Sequence, residues 1–202
     1  MQKKGKGGLM QNKIIAVTGG IGTGKSLALE LIKMSGYSVI DCDAIVKELY
    51  KKRTIKKGVR NIFPTAVKGK LRLKVDKTAI SSEAFANPEK HRALTEFFAQ
   101  KVLDIALSRA KKMGGKTFIE VPLLFELGGE SLFDGVVVIT RNLEDRISSV
   151  IKRSNLTREQ VIERINCQFD YENADLSKYA VIKNDGTKEE FKAKVLEVIK
   201  KI

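Results

Sequence analysis

A glycine-rich segment near the start of the chain, GGIGTGKS at residues 19–26, constrains the fold more than any other feature. It matches the pattern G-x4-G-K-[S/T], which connects a buried strand to a helix in proteins that use it to hold phosphate groups. Here the apolar run 14–17 precedes it and a helical pattern, residues 26–34, follows it. The backbone of such a loop turns successive N–H groups inward, and the helix N-terminus adds partial positive charge. We therefore predict a binding site for ATP or GTP at this loop.

Each part of this phosphate loop has a predicted role in holding the nucleotide. The Lys25 ammonium is expected to reach the β- and γ-phosphates, and the Ser26 hydroxyl is expected to bind Mg²⁺. The pattern does not fix the reaction, because kinases and GTPases of this type share it. The loop residues that we expect to contact the nucleotide are Gly20, Ile21, Gly22, Thr23, Gly24, Lys25, Ser26 and Leu27.

Apolar runs alternate with helical patterns along the rest of the chain. Further strands are predicted at residues 39–40, 118–121, 136–140 and 180–182. Alternating strands and helices favour a parallel sheet with right-handed crossovers. The predicted fold class is therefore α/β: a P-loop NTPase-type parallel sheet flanked by helices, with a mainly helical insertion and a helical lid. Such sheets bind ligands beyond the carboxyl ends of their strands, where we expect the functional residues.

The same patterns divide the chain into segments. Capping boxes are predicted at Thr157 with Gln160 and at Thr187 with Glu190, each at the start of a helix. The predicted segments are a flexible N-terminal extension (1–12), a nucleotide-binding core (13–43, 116–141 and 178–202), a helical insertion (44–115) and lid helices (142–177).

Composition narrows the functional classes. The chain lacks a run of about 18 apolar residues, the length that indicates a membrane-spanning helix. Its two cysteines lie far apart, which disfavours a disulfide framework or a zinc site and favours a reducing cytoplasm.

Residues 44–77 carry twelve lysines and arginines against Glu48 and Asp76. This basic segment is either a solvated surface or a site for a polyanion, so nucleic acid remains open as a partner although no aromatic interleaving favours it.

Two carboxylates follow the second predicted strand, at Asp41 and Asp43. Residues i and i+2 of an extended chain point the same way, so both could face the phosphate site. A kinase needs a group that accepts the proton of the acceptor hydroxyl, and oxygen atoms that anchor the metal or its water. We assign the first role to Asp43 and the second to Asp41, with the reverse assignment open. Alternatively, Asp43 caps the helix predicted at residues 44–50.

Residues 14–49, IIAVTGGIGTGKS…YSVIDCDAIVKEL, closely resemble the opening of dephospho-CoA kinases, which pair a TGGIGSGKS loop with a D-x-D strand end. The resemblance implies transfer of the γ-phosphoryl group of ATP to the ribose 3′-hydroxyl of dephospho-CoA, the last step of coenzyme A synthesis. It also implies that the helical insertion binds the acceptor. A nucleoside or nucleotide kinase with the same core, or a nucleic-acid-stimulated ATPase, remains an alternative.

A second match to this family lies at EVPLLFE, residues 120–126. Glu120 ends the third long strand, where an acidic residue of P-loop proteins holds magnesium-bound water. Pro122 and Phe125 are expected to shape the acceptor pocket. Within the insertion, the family's His-Pro pair is replaced by Ala99-Gln100, which leaves the details of acceptor binding open.

Basic residues of the predicted lid form the third match, to the family pattern R-x6-R…R-I-x2-Q. Arg146, Arg153 and Arg164 could close onto the phosphates, exclude water and stabilise charge during transfer. Alternatively, they form salt bridges on a solvated helix pair. Asn184, which follows the last predicted strand, could hydrogen-bond the adenine or form an Asx turn.

Overall fold

A computed structural model describes residues 12–154 and 156–202 of the chain. Apart from Asn12, the predicted N-terminal extension lies outside the described residues. No helix in the described residues is long and apolar enough to span a membrane.

The described residues form eight α-helices, seven strands and one short 3-10 helix. The strands are β1 (Lys13–Thr18), β2 (Ser38–Asp41), β3 (Val67–Lys68), β4 (Lys74–Val75), β5 (Lys116–Glu120), β6 (Gly135–Thr140) and β7 (Ala180–Lys183). The helices are α1 (Lys25–Met34), α2 (Cys42–Leu49), α3 (Arg53–Ile62), α4 (Lys77–Ala86), α5 (Pro88–Met113), α6 (Leu143–Arg153), α7 (Arg158–Asn166) and α8 (Lys188–Lys201). The 3-10 helix is Glu130–Leu132.

Five strands form the main sheet in the order β2-β5-β1-β6-β7. The central strand β1 pairs in parallel with β5 on one side and with β6 on the other, and β6 pairs in parallel with β7. The central strands β1, β5 and β6 are buried on both faces, which explains why they appear in the sequence as continuous apolar runs rather than as alternating patterns. The order places the loop after β1 where the connections diverge to opposite sides of the sheet, the usual ligand-binding position of such folds.

One face of the sheet packs against α1 and α8. Ile15 and Val17 of β1 belong to the same buried cluster as Ile32 of α1 and Phe191 of α8. The two β1 residues are two positions apart and so point to the same face. This packing fixes α1 against the sheet, and with it the start of the helix that follows the phosphate loop.

The α/β fold class and the long strands predicted from the sequence are confirmed. Strand β5 ends at Glu120, one residue before the predicted end, although the Val121 N–H still donates to the Val17 carbonyl at 3.0 Å. The capping boxes of α7 and α8 are both present. The predictions missed the antiparallel hairpin of β3 and β4, because strands of two residues leave no readable pattern.

The chain divides into two compact units. The first, the core unit, comprises residues up to Ile40 and Arg109–Ile202; the second, the insertion unit, is Asp41–Ser108. The core unit contains the phosphate loop and the lid helices α6 and α7. The insertion unit contains α2, α3, α4, the hairpin and most of α5, so it is mainly helical.

Candidate active site

The phosphate loop runs from the end of β1 at Thr18 to the start of α1 at Lys25. Gly24 is the N-cap residue of α1 and has a φ of +102°, a left-handed conformation that disfavours any residue with a side chain. The first four N–H groups of a helix have no partner within it, so those of α1 are directed towards the loop. Gly24 and the start of α1 thus have the backbone arrangement that the predicted anion nest requires, and phosphate binding at this loop stays a prediction.

The two polar residues that follow the last loop glycine differ in their surroundings. The Lys25 ammonium donates to the carbonyl oxygens of Gly19 and Gly20, at 2.6 and 2.9 Å. These bonds hold the positive charge beside the loop. Ser26, in the first turn of α1, is exposed and so remains accessible to a ligand.

Asn184 holds the second half of the phosphate loop. It follows β7, is buried, and donates from Nδ2 to the carbonyl of Thr23 at 2.8 Å. Its backbone N–H donates to the Thr140 carbonyl at the end of β6. The Nδ2 group thus bonds to a residue 161 positions away. An Asx turn would use the Oδ1 atom instead, so that alternative stays a prediction. A contact between Asn184 and adenine stays a prediction.

Glu120 lies beside the phosphate loop on the neighbouring strand. It ends β5 in register with Val17 of β1, two residues before the first loop glycine, and it is half-buried. The adjacent turn carries Pro122, which is half-buried, and Phe125, whose ring packs 4.6 Å from that of Phe169. The carboxylate and the turn thus lie where the parallel strands end.

Arg146 of α6 is buried, with 3% of its surface exposed. Its Nε donates to the Ile21 carbonyl at 3.1 Å, and its guanidinium pairs with Glu172 at 3.3 Å. Burial lowers the pKa of the Arg146 guanidinium, and the charge of Glu172 opposes that shift. Gly20 packs against the guanidinium so closely that a Cβ at this position would overlap it. Arg146 therefore supports the phosphate loop directly, as part of its structure.

The other two lid arginines lie at the ends of their helices. Arg153 is the last residue of α6 and is exposed, and it makes no hydrogen bond or ion pair with the described residues. Arg164 lies in the last turn of α7 and is half-buried. Of these arginines, Arg146 thus contacts the phosphate loop directly, through its bond to the Ile21 carbonyl.

The segment after α7, residues 167–172, also contacts the phosphate loop. The Oε1 atom of Gln168 accepts the Ile21 N–H at 2.7 Å. The Tyr171 hydroxyl shares a hydrogen bond of 3.2 Å with Thr18, and the nearby backbone of Gly19 favours its ionised form. Burial raises the pKa of Tyr171 to about 12, against the opposing effect of these two groups.

The predictions did not include Tyr171 or Glu172, and Gln168 entered them only through the lid pattern. Their partners in the loop and α6 precede them by 26 to 153 positions, and no local pattern indicates such contacts. These three residues could be identified as loop contacts only once the tertiary fold was known.

Two cavities open around this segment. One, of about 410 Å³, is lined by Arg146, Gln168 and Tyr171 among others. The second, of about 520 Å³, lies at the ends of β6 and β7 and is lined by Thr140 and Lys183 among others. Tyr171 and Glu172 line both cavities, which lie at the predicted ligand-binding edge of the sheet.

The two predicted acidic residues lie at the start of the insertion unit. Asp41 ends β2 and is the N-cap of α2, accepting the Ala44 N–H at 3.1 Å. The helix begins at Cys42, so Asp43 is helical, and the expected extended i, i+2 arrangement is wrong. The prediction that Asp43 is the cap is also wrong, since Asp41 occupies that position. Asp43 is exposed and makes no hydrogen bond or ion pair with the described residues.

A glycine-rich loop between a central parallel strand and a helix, with a lysine and a hydroxyl at the helix start, defines a P-loop nucleotide-binding protein. The family model for dephospho-CoA kinase matches residues 13–190. The chain belongs to the dephospho-CoA kinase family.

Individual relatives agree with this assignment. A dephospho-CoA kinase of Thermus thermophilus is 30% identical over 187 residues, covering 92% of this chain and 90% of the relative. A crystal structure of a Thermus thermophilus protein superposes with a TM-score of 0.80 at 30% identity, covering 95% of this chain and 97% of the other. The dephospho-CoA kinase of Campylobacter jejuni has a TM-score of 0.66 at 27% identity, with the same coverage. Since the matches span nearly the whole chain, they concern the insertion as well as the core.

Proposed function

We propose that the protein transfers the γ-phosphoryl group of ATP to the ribose 3′-hydroxyl of dephospho-CoA and so forms coenzyme A. The single observation that carries this proposal is the phosphate loop with Lys25 and Ser26 at the start of α1, in a chain that belongs to the dephospho-CoA kinase family. In the reaction, the acceptor oxygen forms a bond to the γ-phosphorus while the bond to the β–γ bridging oxygen breaks. ADP leaves with the electron pair of that bond.

The phosphate loop would bind the triphosphate of ATP. Its backbone N–H groups from Gly20 to Leu27, except that of Ile21, which donates to Gln168, would surround the phosphates. Lys25 would leave its carbonyl partners to neutralise the β- and γ-oxygens. The Ser26 hydroxyl and the Glu120 carboxylate are hard oxygen donors, which suit Mg²⁺. Mg²⁺, when bound, would neutralise charge on the phosphates. The described residues contain no group of three or more His, Cys, Asp or Glu side chains that could hold a metal, so these two donors would act together with substrate oxygens.

Asp43 is our candidate for the general base. Its carboxylate would accept the proton of the 3′-hydroxyl as the bond to phosphorus forms, and would then release it to solvent. The cap assignment supports this choice: Asp41 is engaged with the Ala44 N–H, whereas Asp43 is exposed in the first turn of α2. Asp41 would serve as a second contact for the substrate.

The remaining predicted residues would complete the site around the transferred group. Arg146 already contacts the phosphate loop, and Arg153 and Arg164 would approach when the lid closes and excludes water, the competing acceptor. Pro122 and Phe125 would form a wall of the acceptor pocket. Asn184 would border the adenine. Both substrates are cytoplasmic small molecules, and we propose the cytoplasm as the place of action.

Mass spectrometry of the products formed from MgATP and dephospho-CoA tests this function. We expect the wild type to form coenzyme A, and we expect Asp43→Asn to reduce the rate by about 100-fold or more, the typical contribution of a general base. Asp41→Asn is the matched control, because asparagine caps helices about as well as aspartate. A loss restricted to Asp41→Asn would reverse the two roles, and a wild type that forms no coenzyme A would refute the assignment.

The basic segment leaves the nucleic-acid-stimulated ATPase as an alternative from another functional class. Residues 51–75 carry ten lysines and arginines and no acidic residue. However, Phe63 is fully buried and Tyr50 half-buried, so neither ring of residues 44–77 is freely available for base stacking. Three cations, Arg53, Lys56 and Arg60, also donate to backbone carbonyls of the hairpin segment. Unchanged ATP hydrolysis on addition of RNA at low salt would argue against this alternative, and stimulation would favour it.

A further inference from the structure

We propose that Gln168 is a positioning residue that, together with Arg146, fixes the peptide groups around Ile21 and so couples the lid helices to the phosphate loop. The proposal deepens the proposed function, and rests on it for the claim that this loop binds the phosphates of ATP. No contact of Gln168 with a substrate is required.

Ile21 is held from both ends by residues of the lid. Its N–H donates to Oε1 of Gln168 at 2.7 Å, and its carbonyl accepts from Nε of Arg146 at 3.1 Å. The first bond fixes the peptide plane before Ile21 and the second fixes the plane after it. Since peptide groups are planar, fixing both planes fixes the backbone dihedral angles between them.

The restraint on Ile21 matters because this residue lies between two glycines of the phosphate loop. Gly20 and Gly22 lie on either side of it, and glycine allows the backbone more conformations than any other residue. An unanchored loop would therefore sample many arrangements and would lose that freedom when phosphate binds. The two lid contacts remove the freedom in advance, so less ordering remains to oppose binding.

The anchors are themselves fixed relative to each other. Gln168 lies two residues after the end of α7, and the same segment is tied down by the Tyr171–Thr18 hydrogen bond and the Glu172–Arg146 ion pair. Arg146 lies in the first half of α6, so α6 and the segment after α7 both contact Ile21. A displacement of either helix would change the orientation of the Ile21 peptide groups.

The amide side chain of Gln168 suits a place next to bound phosphate. It supplies a carbonyl acceptor for the Ile21 N–H without a negative charge that would repel ATP. Glutamate would keep the acceptor and add the charge, whereas leucine would remove the acceptor at similar size. These two substitutions therefore separate the hydrogen bond from packing and from charge.

The direct test is hydrogen exchange of the Ile21 amide, measured by NMR without nucleotide on the full chain. We expect Gln168→Leu to accelerate exchange at Ile21 by roughly 3- to 10-fold, the effect of losing one hydrogen bond. Gln168→Glu should retain the wild-type protection. Gln100→Leu, which changes an exposed glutamine of α5, is the matched control and should change nothing at Ile21. Unchanged exchange in Gln168→Leu would overturn the proposal.

Calorimetry of MgATP binding supplies the functional measurement and needs no acceptor. We expect Gln168→Leu to raise the Kd by roughly 3- to 10-fold while kcat at saturating ATP stays within about twofold. A lower melting temperature with an unchanged Kd would indicate a merely structural role and refute positioning. If the wild type forms no coenzyme A but Gln168→Leu still raises the Kd of MgATP, only the proposed reaction is refuted. If the wild type forms coenzyme A but Gln168→Leu leaves that Kd unchanged, only the positioning role of Gln168 is refuted.

Discussion

Arg146 illustrates how one charged residue can be kept inside a protein as part of a binding loop. A buried guanidinium is costly unless its donors find partners, and here the Ile21 carbonyl and the Glu172 carboxylate accept from it. The nearby Gly20 is small enough to leave room for it. Arg146 of the lid and Gly20 of the loop therefore pack against each other as one unit, in which the size of one residue limits the position of the other.

We predict that Gly20→Ala weakens this unit by pushing the guanidinium away from the loop. The expected loss in the free energy of unfolding is about 1–3 kcal/mol, as for other overpacked positions. Chemical unfolding of the variant measures it. A double-mutant cycle identifies the cause: in an Arg146→Ala background, Gly20→Ala should cost much less. Equal losses in both backgrounds would mean that backbone strain, rather than the clash, is responsible.

We predict that Asp41→Ala lowers the free energy of unfolding by about 1 kcal/mol through loss of the α2 cap. Asp43→Ala should leave stability nearly unchanged, because Asp43 makes no hydrogen bond or ion pair with the described residues. Urea unfolding of both variants gives the comparison. The opposite order of stabilities would contradict the assignment of Asp41 as the cap.

Sequence alone predicted the residues whose roles are encoded locally. The predicted roles of Lys25 and Ser26 follow from their fixed spacing after the loop glycines. The strand before the loop and the helix after it fix where these two residues lie. Tyr171 could not be predicted, and Gln168 entered only through the lid pattern, because their partners precede them by 153 and 147 positions. The arrangement of Asp41 and Asp43 was mispredicted because a capping bond starts the helix earlier than the apolar pattern indicates.

At the scale of elements, α7 and α8 begin with the same capping box but differ in packing. Within the described residues, α7 buries Val161, whereas α8 buries Phe191, Val195 and Ile199 against the sheet. Most helical stability in proteins comes from packing of an apolar face rather than from intrinsic propensity. The lid helix α7 therefore depends more on its cap than α8 does.

We predict that Thr157→Ala destabilises α7 locally, while Thr187→Ala lowers the stability of the whole core unit. Each change should cost about 1 kcal/mol. For Thr157→Ala we expect about fivefold faster amide exchange within α7 and little change in the global unfolding midpoint. Thr187→Ala should lower that midpoint instead. Equal shifts of the global midpoint in both variants would contradict the local opening of α7.

Elements with a strong apolar or capping pattern in the sequence could be predicted, whereas elements with a weak pattern could not. Strand β6, VVVIT at residues 136–140, is too apolar and β-branched for another conformation, and both capping boxes fix their helix starts. The hairpin of β3 and β4 has two residues per strand, so it depends on the surrounding packing rather than on its own sequence.

At the scale of the molecule, the alternation of strands and helices was enough to predict an α/β fold around the phosphate loop. The limits of the insertion were harder to predict. We expected residues 44–115, whereas the compact unit is Asp41–Ser108. The helix α5 runs without interruption from Pro88 to Met113, so no turn or glycine marks the point where the chain passes from one unit to the other.

We predict a loss of stability at alkaline pH that depends on Tyr171. Its pKa is raised from 10.0 to about 12, so the stabilisation is complete below pH 10 and is lost as the pH rises towards 12. The unfolded chain gives up the proton first, and a pKa difference of this size corresponds to about 2–3 kcal/mol.

Urea unfolding at about pH 8 and about pH 11.5 tests this dependence. Tyr171→Phe should be less stable than the wild type at the lower pH, because its bond to Thr18 is lost, but should lose less stability between the two values. The control is Tyr179→Phe, because Tyr179 is half-buried and packs, like Tyr171, against the ring of Phe125. An identical alkaline loss in wild type and Tyr171→Phe would exclude Tyr171 as its source.

The hydrogen bond from Asn184 to the Thr23 carbonyl spans 161 positions, and this distance matters during synthesis on the ribosome. Proteins begin to fold from the N-terminus as they emerge. A nascent chain that has exposed residues 19–26 holds the whole phosphate-loop sequence but lacks residues that support the loop, among them Arg146, Gln168 and Asn184. Nucleotide binding should therefore begin only after Asn184 has emerged from the ribosome. Ribosome-bound chains that carry C-terminal linkers of increasing length, assayed for retention on immobilised ATP, should gain binding abruptly once Asn184 has left the exit tunnel.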